Sequence, residues 1–600
     1  MARGKKKNGN GNGNGKVMAT QQSVNSTVKS ICDIMRRSNC AGAMQYVPEL
    51  TWILFLRILD EQETHEAEED AALGIDFTPS LQAPHRWQDW AAPFNEEIAL
   101  TNDGTRKQGW KRKELHKDGS SGDLFRFVNN ELLPHLKALK DKPGATPRQK
   151  VISEIMSGVE RVRIDTERNF CEILDRVQMV SSDTVDDTHV FTISQVYEGL
   201  LLKMGEKGND GGQFFTPREV IRAMVRVIDP QVGQTVYDPG CGTGGFLAQS
   251  FEYMRDQGGK ETAGQMETLR HQTFFGREKE NLIFPIALAN LVLHGISQPN
   301  LWHGNTLTNE KTYDGLFLDA PAQFDVVLTN PPFGGKEGKE AQTNFAYKTG
   351  ATQMLFLQHV MDHLKDGGRC GIVLDEGVLF RTNETAFVQV KRKLLEENDL
   401  WCIVSLPGGV FTAAGAGVKT NLLFFTKSKH TEKVWYYDLS AIKIGKKTPM
   451  TLDKFEEFFQ LLPTRGDSEK SWTIDMVSRK QKAAEAAEPF KQLARKKEQE
   501  VAQWSDRVKE LKKVKPTDTA TVNKAIEKMA GLSKEAREQA AKAEEIENAV
   551  YDLKAVNPNA KNVEDKRTPE QLLDFIEAKG REIAEVLAVL RMSGNVTLHN

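Results

Sequence analysis

Between about residue 190 and residue 430, short apolar runs alternate with longer helical stretches, and this alternation restricts the fold more than any other feature. Candidate strands lie at Thr235–Tyr237, Phe274–Gly276, Leu301–His303, Phe324–Thr329, Cys370–Leu374, Cys402–Leu406 and Leu422–Phe425, most of them flanked by Gly, Asp, Asn or Pro. Strands this short and this apolar suit a parallel sheet covered on both faces. The segments Leu282–His294 and Leu355–Leu364 read as amphipathic helices between them. The pattern predicts an α/β domain over residues 186–472 with a doubly wound, Rossmann-like sheet, whose ligands sit at the carboxyl ends of the strands.

The flanking regions follow other rules. Residues 1–22 form a basic Gly/Asn-repeating tail that cannot bury a core and is expected to be disordered. Residues 23–185 predict a helical N-terminal domain: Leu50, Ile53, Leu54, Ile58 and Leu59 recur at three- and four-residue spacings after Pro48, which is placed where a helix begins. A Gly/Asp/Lys-rich stretch around 101–122 reads as a loop. Such a domain suits docking to DNA or a partner, and equally a plain helical bundle. Residues 473–600 are rich in Lys, Glu, Ala and Gln and predict a helical, coiled-coil-like extension, with helices near 478–513, 520–552 and 568–592. There Val501, Trp504, Val508 and Leu511 form a stripe that suits either a partner face or a self-packed hairpin.

Six hundred residues exceed one ordinary domain. No apolar run approaches the roughly 20 residues that span a bilayer, and no apolar core follows the N-terminal lysines. The six cysteines are scattered without a CxxC pair, which points to a reducing, cytoplasmic setting and to no structural metal. A net charge of −3 lacks the basic excess of a chain that grips DNA unaided, so basic surface must be local or supplied by a partner.

Two segments carry chemistry. In Val236-Tyr237-Asp238-Pro239-Gly240-Cys241-Gly242-Thr243-Gly244-Gly245-Phe246 a strand runs into an acid and then a glycine-dense turn. Such a turn lets backbone approach a nucleotide-like ligand. Glu278, ending the second strand, can accept hydrogen bonds from both hydroxyls of a ribose. In Phe324–Thr329 followed by Asn330-Pro331-Pro332-Phe333, a buried strand delivers an amide and two stiffening prolines to its carboxyl end. The Asn330 side-chain carbonyl and the Pro331 backbone carbonyl can accept from the hydrogens of an exocyclic amine. They would thereby stabilise the positive charge that grows on that nitrogen as it is alkylated. Phe333 offers a stacking face to a base extruded from a duplex.

Together with Gly212-Gln213-Phe214-Phe215-Thr216-Pro217-Arg218 ahead of the glycine turn, these motifs resemble the N6-adenine DNA methyltransferases in their γ order. More closely, the chain resembles the modification subunit of type I restriction–modification systems. The likeness covers about residues 23–430 and includes Val196-Tyr197-Glu198, Leu293–Ile296, Gly377–Phe380, Leu406–Phe411 and Lys419–Asn421. The resemblance implies S-adenosylmethionine as cofactor. Gln213, Phe214, Phe215, Thr216, Pro217 and Arg218 would then close over its methionine end, with Thr216 near the carboxylate. Asp238, Gly240, Gly242, Thr243, Gly244 and Gly245 would line the amino-acid moiety, and Glu278 would hold the ribose. It implies a flipped adenine as substrate at Asn330, Pro331, Pro332 and Phe333. It also implies double-stranded DNA, a specificity subunit and a restriction/translocase subunit as partners, with two modification subunits per specificity subunit.

Two positions depart from the family. Gly304-Asn305 stands where Gly-Asp usually contacts the cofactor adenine, and Leu374-Asp375 where Leu-Pro is usual. The absence of a GxxxxGK[ST] run excludes a translocating ATPase. The rival readings are a methyltransferase acting on RNA or a protein glutamine, and a catalytically silent cofactor-binding scaffold in a defence complex. Phe333 and the Phe-Phe-Thr-Pro element count against the first and the intact motif against the second.

Overall fold

The computed structural model describes residues 21–40, 42–74, 76–92, 123–178, 197, 216–257, 263–411, 418–445, 448–513, 519–554, 556–559 and 568–594. Residues 1–20 of the basic tail, the expected loop at 101–122 and the residues Gln213, Phe214 and Phe215 lie outside these, while residues 21–22, expected to be disordered with the tail, already belong to the first helix.

The N-terminal region is helical: α1 (Gln21–Arg37), α2 (Ala43–Leu73), α3 (Pro147–Ser157) and α4 (Glu167–Gln178) are its longer elements. Helix α3 starts where its sequence says it should. Thr146 Oγ1 accepts from Gln149 N, Gln149 Oε1 accepts from Thr146 N, and Pro147 occupies the first turn. Pro48 does not start α2, contrary to the expectation; the helix begins at Ala43 and Pro48 lies inside it. The Met44 carbonyl thereby loses its donor four residues on. Trp52 of α2 stacks on Trp90 at 6.5 Å, and Thr51 shares a 2.7 Å hydrogen bond with the buried Tyr197 hydroxyl.

The centre is one ten-stranded mixed sheet: β1 (Val236–Asp238), β2 (Phe274–Glu278), β3 (Asn300–Asn305), β4 (Glu310–Tyr313), β5 (Phe324–Thr329), β6 (Leu364–Asp375), β7 (Asn398–Ser405), β8 (Thr420–Lys427), β9 (Lys433–Asp438) and β10 (Ser471–Asp475). Their spatial order is β10-β9-β7-β8-β6-β5-β1-β2-β3-β4. Strands β3, β2, β1, β5 and β6 are mutually parallel, and β8 inserts antiparallel between β6 and β7. From β1 the chain builds outward through β2 and β3, and then returns to build the other way through β5 and β6. The reversal falls between β1 and β5, and a ligand crevice opens there.

Helices α5 (Arg218–Ile228), α6 (Gly245–Gln257), α7 (Ile283–Leu293), α8 (Thr352–His363) and α9 (Thr385–Glu397) cover the sheet. The amphipathic expectation for α7 fails. All eleven of its residues are buried, because α2 and α3 pack on the side that would otherwise meet water. Helix α8 is likewise buried over most of its length, with Gln353, Gln358 and His359 inside, and Leu364 belongs to β6.

Two long helices, α10 (Met476–Lys513) and α11 (Thr519–Asn548), form an antiparallel hairpin in which Lys497 pairs with Glu535 and Lys491 with Glu547. The Val508 stripe is thus spent on self-packing, since Val508 and Leu532 are both buried within the pair. The chain then returns to the sheet: Val550, Tyr551 and Leu553 enter its core, and Leu553 N donates to Leu379 O. A last helix, α12 (Pro569–Gly594), carries exposed Leu573, Ile576 and Ile583. Among the described residues no helix is long and apolar enough to cross a membrane.

Candidate active site

At the carboxyl ends of β1, β2, β3 and β5 lies a cavity of about 600 Å³, within the range of a small-molecule site. It gathers Thr216, Arg218, Asp238, Gly240, Gly242, Thr243, Gly245, Glu278, Asn305, Asn330, Pro332 and Phe333, which are spread over more than a hundred residues of sequence. Pro331 is buried and does not line it.

The glycine turn is held from three sides. Gly242 and Gly244 adopt φ of 53° and 79°, a left-handed backbone that any side chain would strain. Glu278 Oε2 accepts from Gly242 N at 2.9 Å, while its Oε1 accepts from Lys279 N and Glu280 N at 2.9 Å each. Asn290 Nδ2 donates to Thr243 O at 2.8 Å, so the single amide in the apolar helix α7 is a support for the turn. A lone polar residue in such a run was the signal that could have found it. Asp238 Oδ1 accepts from Gly240 N at 3.1 Å and from Thr329 Oγ1 at 2.7 Å, tying the end of β1 to that of β5. Burial pushes both carboxyls, Asp238 and Glu278, up to about 7.

Asn330 is fixed by a contact no sequence pattern announces. Its Nδ2 donates to Thr216 Oγ1 at 3.0 Å, across 114 residues. With the amide nitrogen engaged, Oδ1 is turned the other way. It is buried and has no hydrogen-bond partner among the described residues. A buried unpaired acceptor costs on the order of 1–3 kcal/mol, a cost that a donor entering the cavity would relieve. Next to it Phe333, half-buried, meets Phe411 edge-to-face at 5.4 Å. The loop beyond is pinned to α8: Thr352 N donates to Gly335 O, and Thr352 Oγ1 to Glu337 Oε1 at 2.8 Å.

Part of the cavity wall is apolar. Leu307 and Phe356 line it, and Phe356 lies 3.5 Å from where a side chain on Gly240 would stand. Neither stood out in the sequence, where both read as ordinary core. Asn305 Oδ1 is partly spent on Leu307 N at 3.0 Å. The Arg218 guanidinium, near Glu252, is pushed down to about 10 by burial. The other departure from the family pattern also finds a local reason: Asp375 Oδ1 accepts from Val378 N at 2.9 Å and so caps the short helix Glu376–Phe380.

A nucleoside-sized cleft with buried carboxylates and a glycine turn at the point of strand reversal, beside an Asn-Pro-Pro-Phe loop, has the form of a Rossmann-like methyltransferase site. Comparison with known proteins gives the same class and narrows it. The family model for N-6 DNA methylases matches residues 188–566, and that for the HsdM N-terminal domain matches residues 24–169. The EcoEI type I methylase subunit of Escherichia coli is 36% identical over 447 residues, 73% of this chain and 82% of that protein. The EcoKI methylase subunit of Escherichia coli K12 is 34% identical, over 71% of this chain and 74% of its own length. Among solved structures, a chain from a study of type I restriction–modification assembly and conformational transition superposes with a TM-score of 0.63. It is 31% identical and covers 97% of this chain and 100% of its own. A modification subunit of a type I restriction enzyme from Vibrio vulnificus YJ016 gives 0.61 at 32% identity, over 77% and 93%. The chain belongs to the N-6 DNA methylase family, as a methylase (M) subunit of the type I restriction–modification kind, an adenine-specific DNA methyltransferase.

Proposed function

We propose that this chain moves the methyl group of S-adenosylmethionine to N6 of an adenine flipped out of duplex DNA. The unpartnered Asn330 Oδ1 in the cavity carries this reading. The residues present fit the cofactor. Glu278 and Asp238 are acceptors for hydroxyl and ammonium donors, the glycine turn leaves room beside them, and Phe356 and Leu307 supply an apolar slot for a purine. When bound, the cofactor supplies an electrophilic methyl group on a sulfonium.

The remaining work falls to the chain. Asn330 Oδ1 and the Pro331 carbonyl accept the two N6 hydrogens and draw the nitrogen lone pair out of conjugation. They also offset the positive charge that would build on nitrogen during its alkylation, until one N6 proton is lost to solvent. Thr216 keeps the Asn330 amide from turning over. Phe333 stacks on the base, with Phe411 behind it, and Pro331 and Pro332 hold the loop rigid, so that little order is lost on the way to the transition state.

In this reading the chain works in the cytoplasm in a complex with a specificity subunit that reads the DNA sequence and a restriction/translocase subunit, two modification subunits flanking each specificity subunit. The net charge of −3 supports shared DNA binding. Incubation with methyl-tritiated cofactor and a mixture of duplex DNA and RNA, with and without a specificity subunit, tests the reading. Label is expected in N6-methyladenine of DNA and to increase with the specificity subunit; label in RNA or protein alone would refute it.

A further inference from the structure

A second cavity, of about 490 Å³, opens in the N-terminal helical region, among Asn39, Gln45, Phe125, Asn129 and the segment Arg161–Asp165. In that segment Val162 and Ile164 are buried, while Arg161, Arg163 and Asp165 are exposed. Each acceptor side chain around it already holds one donor, and Asp165 keeps its charge and a second carboxylate oxygen. Asn129 Oδ1 accepts from Val162 N at 2.8 Å, Gln45 Oε1 from Gly42 N at 3.2 Å, and Asp165 Oδ1 from Asn169 Nδ2 at 3.2 Å. The two amides are therefore left with N–H donors to offer. Among the described residues, neither Arg161 nor Arg163 finds an ion pair or hydrogen-bond partner for its guanidinium. Beneath the segment the buried Glu49 accepts from Arg163 N at 3.2 Å, and burial lifts its carboxyl to about 7, so it is only a partial countercharge at neutral pH. Two guanidiniums without an ion-pair partner among the described residues and the free N–H groups of two amides, set against the one carboxylate of Asp165, leave the concave surface net cationic and suited to an oxyanion.

Its position says which oxyanion. Gly158 abuts the catalytic domain: a side chain there would stand 3.7 Å from Asn281 O and from Pro285 Cγ. Asn281 lies three residues past Glu278, at the carboxyl end of β2. Arg161 follows Gly158 by three residues, a reach of at most about 11 Å. Arg161 is thus tethered near the carboxyl end of β2, whose Glu278 and Lys279 line the Asn330 cavity, the end at which a duplex with an everted base would enter.

We propose that this cavity holds a stretch of the phosphodiester backbone of duplex DNA beside the everted base, with Arg161 and Arg163 as its cationic contacts. The proposal rests on the DNA adenine reading above. The test measures binding of a fluorescent duplex to the full chain and to the Arg161→Gln/Arg163→Gln variant, each assembled with a specificity subunit, between about 50 and 200 mM KCl, since each phosphate contact adds roughly 0.9 to the slope of log affinity against log salt. The double variant is expected to lose about 2 from that slope and to bind roughly 10-fold or more weakly at the lowest salt. Its cofactor affinity and thermal unfolding should stay at wild-type values. The Arg161→Lys/Arg163→Lys variant, which keeps the charge, should retain most of the slope. An unchanged slope in the glutamine variant overturns the proposal. So does a wild-type cavity that binds inorganic phosphate at matched ionic strength while DNA binding ignores both substitutions, for it would then be a free-anion site. The slope is read without turnover, so a wild-type chain that binds DNA but methylates no adenine would defeat the catalytic reading and leave this one standing.

Discussion

Replacing Thr216 with Val isolates what holds the catalytic amide. The side chains are nearly the same shape, so the loss is one hydroxyl, whose oxygen accepts the 3.0 Å bond from Asn330 Nδ2. A hydrogen bond of this kind contributes about 0.5–1.5 kcal/mol net, and leaving the buried amide nitrogen unpaired costs about 1–3 kcal/mol. If Thr216 acts by fixing the amide, that energy is lost from the transition state. The methyl-transfer rate should then fall by roughly 5- to 150-fold. Cofactor affinity should change little, because the cofactor does not depend on which way the Asn330 amide faces. Single-turnover methylation at saturating DNA and cofactor, paired with calorimetric cofactor titration, separates the two quantities. The family pattern places this threonine near the cofactor carboxylate instead. A Thr216→Val enzyme with a wild-type single-turnover rate and a weakened cofactor affinity would favour that role and refute the amide-fixing one.

Three further outcomes follow from the same geometry. Phe333→Ala removes a stacking face worth about 1–3 kcal/mol and should weaken capture of the flipped base by roughly 5- to 150-fold, read with a fluorescent purine at the target position. Glu278 is expected to accept ribose hydroxyls as a carboxylate, and its pKa stands at about 7. Cofactor affinity should therefore rise with pH from about 6 to 8, by up to about tenfold per unit at the acidic end, and Glu278→Gln should flatten that profile. The same raised pKa has the opposite effect on the ligand-free fold: the stability it contributes is present below the ordinary value of 4.5 and is lost as pH rises through about 7. Asn305→Asp adds a second carboxylate oxygen beside the one that accepts from Leu307 N and should tighten cofactor binding by roughly 3- to 10-fold, with little effect on the saturated rate.

How far the sequence could be read follows from the physics of each element. Strand β5 was legible to its exact bounds, Phe324–Thr329, because its interior is apolar and an Asn-Pro-Pro loop ends it. Strand β4, Glu310–Tyr313, is a polar, exposed edge with no apolar signature. Strand β9 is buried on both faces through Val434, Trp435, Tyr436 and Tyr437, and its apolar run could have been recognised. At the site, the glycine turn, Glu278 and Asn330–Phe333 were legible because each needs a particular residue type next to a strand end. The Thr216–Asn330 bond, the Thr352 latch on the catalytic loop and the Phe356 wall were not, since they join positions whose spacing in sequence says nothing of their distance in space. Helix α7 misled for a related reason: only the packed N-terminal helices explain why it has no polar face.

Single-turnover methylation by Asn330→Ala, measured with its cofactor affinity and its capture of a flipped base, bears most directly on the idea that this amide oxygen and its neighbouring carbonyl receive the adenine N6. The expected result is turnover reduced to background with cofactor affinity close to wild type. Methyl transfer at the wild-type rate would contradict it.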